Sequence, residues 1–371
     1  MKNNILIDHN LKIGSFTKEI KKIFKKNSFT KGINNEIFRK KIKKEFKIRN
    51  IILTSSATTA LSLSLEVLNV KAGDEVIVSD FSWISSAHVI ENIGARPIFA
   101  DVNINTFNMC PNDLKKKINK KTKAIIFVHS FGNPSGFLEI KKISHKYKIP
   151  LIEDAACAIG SKIQSDYVGE KSELACFSFH QKKILNTGEG GMITTKKNSL
   201  YKKILLKSNL GAVNKKNKFY SDFIDSGHNY RLSELQCLMG QKQVDGLKKK
   251  IQLRNLIFKK YSVELNKFGF VPQKIEKNYK SNIQSCTFLV PKKINRDNLI
   301  FFLKKNQINS TIGTYSISNT SFYKRKYNSP QINSNYLFQN CISLPCHENI
   351  NLKKVLQKIE IFYETSLKKK F

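Results

Sequence analysis

Arginine is scarce in this chain. Of its 65 basic residues only seven are arginine, at positions 39, 49, 96, 231, 254, 296 and 325, and 58 are lysine. Acidic residues are also few, 28 in all, so the formal net charge is +37. So basic a chain raises the question of nucleic acid. The shortage of arginine argues against it. Base readout leans on the planar, bidentate guanidinium fork, and the lysines are spread over nearly every amphipathic segment instead of gathering on one face. No specific nucleic-acid partner is expected, although a diffuse positive field still attracts phosphorylated small molecules.

Paired cysteine motifs are also missing. The seven cysteines, at 110, 157, 176, 237, 286, 341 and 346, form no CxxC spacing, and several lie inside apolar runs such as Ala175-Cys176-Phe177. That excludes a disulfide framework and a thiolate metal site, and it predicts reduced thiols in a cytoplasmic protein without a metal. No run approaches the roughly 18 apolar residues of a membrane span. Residues 1–14 lack an apolar signal core, and no internal repeat is visible. What remains is a globular composition, 40% apolar and 10% aromatic over 371 residues, enough for two domains.

Short apolar strands alternate with helical patterns through the first half. A strand at 51–53 runs into Thr54-Ser55-Ser56-Ala57-Thr58-Thr59, which opens a helix with apolar positions at 57, 60, 61, 65 and 68. A helix start carrying hydroxyls is a ready anion site, because its N–H groups and dipole favour negative charge. An ordinary capped helix is the plain alternative. The strand at 75–79 ends in Asp80-Phe81-Ser82-Trp83, the strand at 123–128 closes at His129, and the strand at 151–154 closes at Asp154. Strands apolar throughout predict a parallel sheet covered on both faces, hence an α/β fold with ligands at the carboxyl ends of the strands. Trp83 there either stacks on a flat ring or packs in the core. Asp154 suits a metal, a base or a ring nitrogen. His129 is expected to support the pocket.

The stretch 178–191, Ser-Phe-His-Gln-Lys-Lys-Ile-Leu-Asn-Thr-Gly-Glu-Gly-Gly, is the one the rest is organised around. A strand at 175–179 delivers Lys182 and Lys183 just before a glycine turn. A lysine so fixed becomes a nucleophile toward a carbonyl when desolvation or a nearby cation lowers its pKa. Two solvated lysines on a surface hairpin are the alternative. Residues 209–226 read as a loop. Arg231 lies in an otherwise uncharged stretch, which favours a bound anion over an ion pair. Ser233 caps a long helix predicted over 233–268. Beyond 246 the pattern changes to a strand at 285–291, a helix at 296–305, a strand at 308–313, a polar loop at 316–335, an extended segment at 341–346 and a helix at 352–365. This predicts a large α/β domain over 1–245 and a smaller α+β domain over 246–371.

The order of motifs resembles that of the DegT-type sugar aminotransferases, enzymes of pyridoxal 5'-phosphate (PLP) with the fold-type-I architecture. The resemblance covers nearly the whole chain. It rests on Ser56-Ala57-Thr58-Thr59-Ala60-Leu61, Gly73-Asp74-Glu75, Phe81-Ser82-Trp83, Glu153-Asp154-Ala155-Ala156, Ser178-Phe179-His180 with Lys183, Gly188-Glu189-Gly190-Gly191, Asn229-Tyr230-Arg231 and Ser343-Leu344-Pro345. It implies that Lys183, five residues before the first glycine of the turn, carries PLP and then moves a proton, leaving Lys182 a bystander. It implies that Asp154 pairs with the ring nitrogen and Trp83 stacks on the ring. Thr58, Thr59 and Ser178 hold the phosphate, and His180 lies beside cofactor or substrate. Asn229 and Arg231 reach the neighbouring subunit's site, so a homodimer is implied. The implied reaction moves an amino group from an amino acid, L-glutamate, to a nucleotide-linked ketosugar, for a surface polysaccharide or lipopolysaccharide. Other PLP chemistry on the same fold, or a non-catalytic relative, is the alternative. The chain departs from the family at Ala57, where glycine is usual, and at Cys157, where glutamine is usual. It also departs beside the lysine, at Gln181, Lys182 and Ile184. Relatives that dehydrate carry histidine in place of the lysine, and Lys183 argues against that activity.

Overall fold

The computed structural model describes residues 16–214 and 219–368. Its largest sheet has seven strands: β1 (Asn50–Thr54), β2 (Glu75–Ser79), β3 (Arg96–Ala100), β4 (Thr122–Val128), β5 (Leu151–Asp154), β6 (Leu174–Ser178) and β7 (Gly191–Thr195). They lie in the order β1-β7-β6-β5-β4-β2-β3. From β6 to β3 every neighbouring pair is parallel, and β7 runs antiparallel to both β6 and β1. Successive residues of a strand point to opposite faces. Accordingly Ile77, Ile125 and Phe127 enter one apolar cluster with Phe38, Phe46 and Phe177, while Val76, Val78, Ala124 and Ile126 enter another with Leu61, Leu65 and Ile90. Both faces are covered, which is why these strands lack polar alternation.

A second, antiparallel sheet contains β8 (Val271–Pro272), β9 (Cys286–Leu289), β10 (Thr311–Ile312) and β11 (Cys341–Leu344), in the order β8-β9-β11-β10. Its core is separate. Tyr261, Phe270, Phe288, Leu299, Leu303, Ile342, Val355 and Ile359 pack together between this sheet and the helices Leu247–Asn266, Arg296–Lys305 and Leu352–Lys368.

Three expectations change. The long helix is two, Glu234–Val244 and Leu247–Asn266, parted at Asp245 and Gly246. Glycine gives up the most backbone freedom in a helix, and the break falls there. Ser233 does cap the first of them, accepting from the Gln236 N–H. The region expected as a loop over 209–226 contains a hairpin, Ala212–Asn214 with Ser221–Phe223. The polar loop expected over 316–335 is mainly helical, with Ser321–Tyr327 and Ile332–Asn340. Tertiary contacts override the weak helix propensity of its Ser and Asn residues. Tyr323 is fully buried against Phe99, with ring centroids 5.1 Å apart. The carboxylate of Asp101, just past β3, accepts the N–H groups of Asn333 (3.0 Å) and Ser334 (2.9 Å), capping the second helix from a distant part of the chain.

Candidate active site

The carboxyl ends of β1, β5 and β6 open into a cavity of about 610 Å³, to whose wall Asn309, Ser310, Thr311, Gly313 and Thr314, in and around β10, also belong. Lys183 stands in its wall. The backbone that carries it is fixed from several sides. Phe179 N–H donates to the Gly190 carbonyl (2.7 Å) and Thr187 N–H to the Phe179 carbonyl (2.8 Å). Gln284, just before β9, accepts from Ile184 N–H (3.1 Å) and donates to the Lys182 carbonyl (2.9 Å). Lys183 Nζ donates to Cys157 Sγ at 3.0 Å.

Asp154 ends β5 and is 6% exposed. Its Oδ2 accepts from Ser86 Oγ (2.7 Å) and its Oδ1 from the Ala156 N–H (3.2 Å). Its orientation is therefore set by the second residue of the helix Ser85–Glu91 and by the chain's own turn. Beside it, His129 is completely buried, with Nε2 2.7 Å from Glu153 Oε2, whose other oxygen accepts from Ser172 (2.6 Å). His129 Nδ1 has no partner among the described residues.

The helix Ala57–Val67 begins at the cavity. Ser56 Oγ accepts the Thr59 N–H (3.0 Å) and Thr59 Oγ1 accepts the Ser56 N–H (3.1 Å), a reciprocal capping box. Thr58 lines the cavity; Thr59 does not, because its hydroxyl is spent in the cap. Strand β7 comes very close here. A Cβ on Gly191 would lie 2.5 Å from the Ser56 carbonyl carbon, so only glycine fits. Ser178 lines the cavity and accepts the His180 N–H at 3.2 Å. His180 also lines it; its Nδ1 accepts the Lys182 N–H (3.2 Å) and its Nε2 lies 3.7 Å from Glu189.

Trp83 is in the wall but 62% exposed, edge-on to Tyr315 at 5.7 Å. Asn229 and Arg231 are outside this cavity: Asn229 bridges to Asn209, and Arg231 donates to Asn209 Oδ1 (3.0 Å). Lys182, expected as a bystander, is part of the wall.

Several residues escaped sequence reasoning. Ser86 sits on an unremarkable helix, and Gln284, Ser310 and Thr311 come from a region with no motif. Asp80 did carry a signal, an acid directly after an apolar strand. It is fully buried at the end of β2, where Oδ1 accepts the Ser318 N–H (2.6 Å) and Oδ2 the Ser316 hydroxyl (2.8 Å). It thereby docks the 315–319 segment and sets Tyr315 against Trp83. Burial pushes its carboxyl up to about 6, against the pull of those hydrogen bonds. A carboxyl raised in the folded state binds its proton more tightly there than in the unfolded chain. Its contribution to stability is complete below the ordinary carboxylate range and is lost as pH rises through about 6. Asp80→Asn should remove that dependence. Between pH 4.5 and 7.5, denaturant titrations of the variant should lack a fall of about 2 kcal/mol that the parent shows.

The donor set suits PLP. An amine, a buried carboxylate, a hydroxyl-bearing helix start and an indole stand around one cavity, and His129 Nδ1 and Ser310 Oγ are buried polar atoms in its wall with no partner among the described residues. Fold and cavity together define a PLP-dependent aminotransferase. The chain belongs to the DegT/DnrJ/EryC1/StrS aminotransferase family, whose model matches residues 12–362. It is 30% identical over 337 residues to GDP-perosamine synthase of Escherichia coli O157:H7, covering 90% of this chain and 91% of that one. It is also 30% identical over 348 residues to the UDP-4-amino-4,6-dideoxy-N-acetyl-beta-L-altrosamine transaminase of Campylobacter jejuni serotype O:23/36, covering 90% and 89%. Among solved structures, Helicobacter pylori PseC, an aminotransferase involved in the biosynthesis of pseudoaminic acid, superposes with a TM-score of 0.91 at 24% identity, over 98% of this chain and all of that one. The aminotransferase TlmJ from Streptoalloteichus hindustanus gives 0.91 at 21% identity, with the same coverage. These two likenesses concern the fold.

The thiol of Cys157 touches the lysine amine, so its removal is informative. Cys157→Ala should slow turnover about fivefold, the worth of one hydrogen bond of about 1 kcal/mol, and should abolish inactivation of the apoenzyme by iodoacetamide. Initial rates and mass spectrometry of the alkylated peptide check both.

Proposed function

We propose that this enzyme transfers an amino group from an amino acid, L-glutamate, to the keto group of a nucleotide-linked deoxysugar, making an amino sugar for a surface polysaccharide or lipopolysaccharide. The single observation that carries the chemistry is one cavity holding Lys183 beside buried Asp154, at the start of the helix Ala57–Val67. The sugar substrate is supported by the activities for which the two relatives are named, each aligned over most of its length.

In this reading Lys183 holds the cofactor and carries the transferred proton on Nζ. Asp154 keeps a positive charge on the ring nitrogen, and bound PLP supplies the electron sink for transamination. Thr58 and Ser178 receive the phosphate at the helix start, Trp83 covers the ring, and Cys157 and His180 face the reacting end. Thr59 acts through the cap that shapes the turn. Asn229 and Arg231, outside their own cavity, serve the site of a second copy in a homodimer. The division into a domain of residues 1–245 and one of 246–371 is supported by the separate apolar core around Phe288 and by the helix break at Gly246. Among the described residues no helix is long and apolar enough to cross a membrane. The seven free cysteines fit the cytoplasmic location we propose.

The test is turnover. Purified enzyme with PLP and L-glutamate is offered a panel of UDP-, GDP- and dTDP-linked ketosugars, with 2-keto acids as the competing class. Amination of at least one sugar is expected. Turnover confined to keto acids would sink the sugar reading and leave the aminotransferase standing.

A further inference from the structure

A second cleft, of about 350 Å³, lies far from the cofactor cavity, lined by Glu36, Arg39, Lys40, Lys43, Arg49, Asn50, Ile51 and Tyr201. It sits at the amino end of β1, whereas the cofactor cavity sits at its carboxyl end. At about 3.3 Å per residue, Asn50 and Ser56 are roughly 20 Å apart.

The composition of this cleft is unusual for the chain. Two of the seven arginines face it, in a protein that otherwise uses lysine for positive charge. Arg39 and Lys43 are one turn apart on the helix Ile33–Phe46, an arrangement of like charges that weakens a helix by a few tenths of a kcal/mol. Charged neighbours on the same helix are matched: Lys41 pairs with Asp245, and Glu45 with Lys248 at 3.1 Å. Arg39, Lys43 and Arg49 have no side-chain ion pair among the described residues, and the Arg39 Nε is buried without a hydrogen-bond partner. The nearby carboxylates are already paired with lysines. Glu36 lies 3.8 Å from Lys40, and Glu170, which accepts the Arg49 backbone N–H at 3.4 Å, pairs with Lys196 at 3.3 Å. Cations gathered in one cleft with no carboxylate to pair Arg39, Lys43 or Arg49 favour an anion from outside the chain.

We propose that this cleft is an anion site for a diphosphate group, separate from the cofactor cavity. The four cations and single carboxylate of its wall leave an excess of three positive charges, which matches a diphosphate. Guanidinium forks take phosphate oxygens two at a time, and Tyr201, half-buried against the core, is an aromatic residue of the same wall. The diphosphate belongs either to free pyrophosphate or to a nucleotide, and these differ in whether Tyr201 matters.

The test uses the PLP-loaded holoenzyme, so that the phosphate cradle of the active site is filled. Inorganic pyrophosphate and GDP are titrated in by calorimetry at fixed ionic strength. One saturable site per chain is expected for pyrophosphate; GDP should show a further one at the substrate's nucleotide site, which the arginine variants leave unchanged. Arg39→Gln and, separately, Arg49→Lys should each weaken the cleft site about tenfold, with the thermal melt unchanged. The surface control Lys115→Gln/Lys116→Gln should bind as the parent does. GDP weakened by Tyr201→Ala, with pyrophosphate unaffected, identifies a nucleotide; equal binding of both probes in parent and variant identifies the free diphosphate. The proposal is overturned if no saturable site exists, if neither arginine variant weakens it, or if the lysine control weakens it equally. It is also overturned if a short single-stranded RNA occupies the cleft a hundredfold more tightly than pyrophosphate.

Discussion

Lys183→Ala is expected to lower turnover on the order of 10⁴-fold, the upper end of what a positioned proton-transfer group contributes, while Lys182→Ala stays within a few fold of the parent. The two lysines are adjacent in sequence and both belong to the cavity wall. Their surroundings separate them. Lys183 is half-buried and its amine lies against Cys157 Sγ, whereas Lys182 is exposed. A covalent readout distinguishes them independently of rate. Borohydride reduction of the holoenzyme, followed by peptide mass spectrometry, should leave the mass of the reduced cofactor on Lys183 in the parent and in the Lys182 variant. It should find none in Lys183→Ala. Label on Lys182, or full activity in Lys183→Ala, would overturn the assignment. Because Gln284 and Gly190 hold the backbone of this turn, the alanine variant is expected to fold, and its thermal melt should match the parent's closely.

That contrast also shows how much could be read from sequence. The parallel sheet was legible because its strands are buried on both faces and so carry unbroken apolar runs. The placement of Asp154 at the cavity was legible because it ends such a strand; Ser178 and Lys183 were singled out through the family resemblance, Lys183 by its spacing before the glycine turn. Most of what was not legible depends on long-range contacts. The helices Ser321–Tyr327 and Ile332–Asn340 are poor helix formers by composition; they exist because Phe99 receives Tyr323 and Asp101 caps the second of them from across the fold. Thr59 looked like a phosphate ligand because it is a hydroxyl at a helix start. In the fold that hydroxyl closes a local capping box with Ser56. Asn229 and Arg231 carry a motif but stand apart from their own chain's cavity, which sequence order alone does not reveal. Cys157 was visible as a departure, yet its contact with the lysine amine depends on how the turn after β5 faces the turn after β6.

The second large effect is expected at Asp154. Asp154→Asn keeps the shape and an acceptor for the Ala156 N–H, but its NH2 must donate to Ser86 where the carboxylate accepted, and the negative charge is lost. A carboxylate as buried as Asp154 beside a ring nitrogen holds a proton there; a neutral amide does not. Turnover should fall about 10³-fold, within the range that such electrostatic groups supply. The loss should appear in kcat with little change in the KM for the amino donor, since the residue stabilises charge that develops during reaction and not the resting complex. Ser86→Ala provides the graded comparison. It leaves the carboxylate charged but frees one oxygen from its 2.7 Å hydrogen bond, so the carboxylate is less well aimed and a loss of about tenfold is expected. The order of the two variants is the decisive point. If Ser86→Ala proved as damaging as Asp154→Asn, the role of Asp154 would be to hold the Ser85–Glu91 helix in place. If Asp154→Asn is far worse while both variants melt alike, the charge itself does the chemistry, and the carboxyl end of β5 is where the cofactor ring sits.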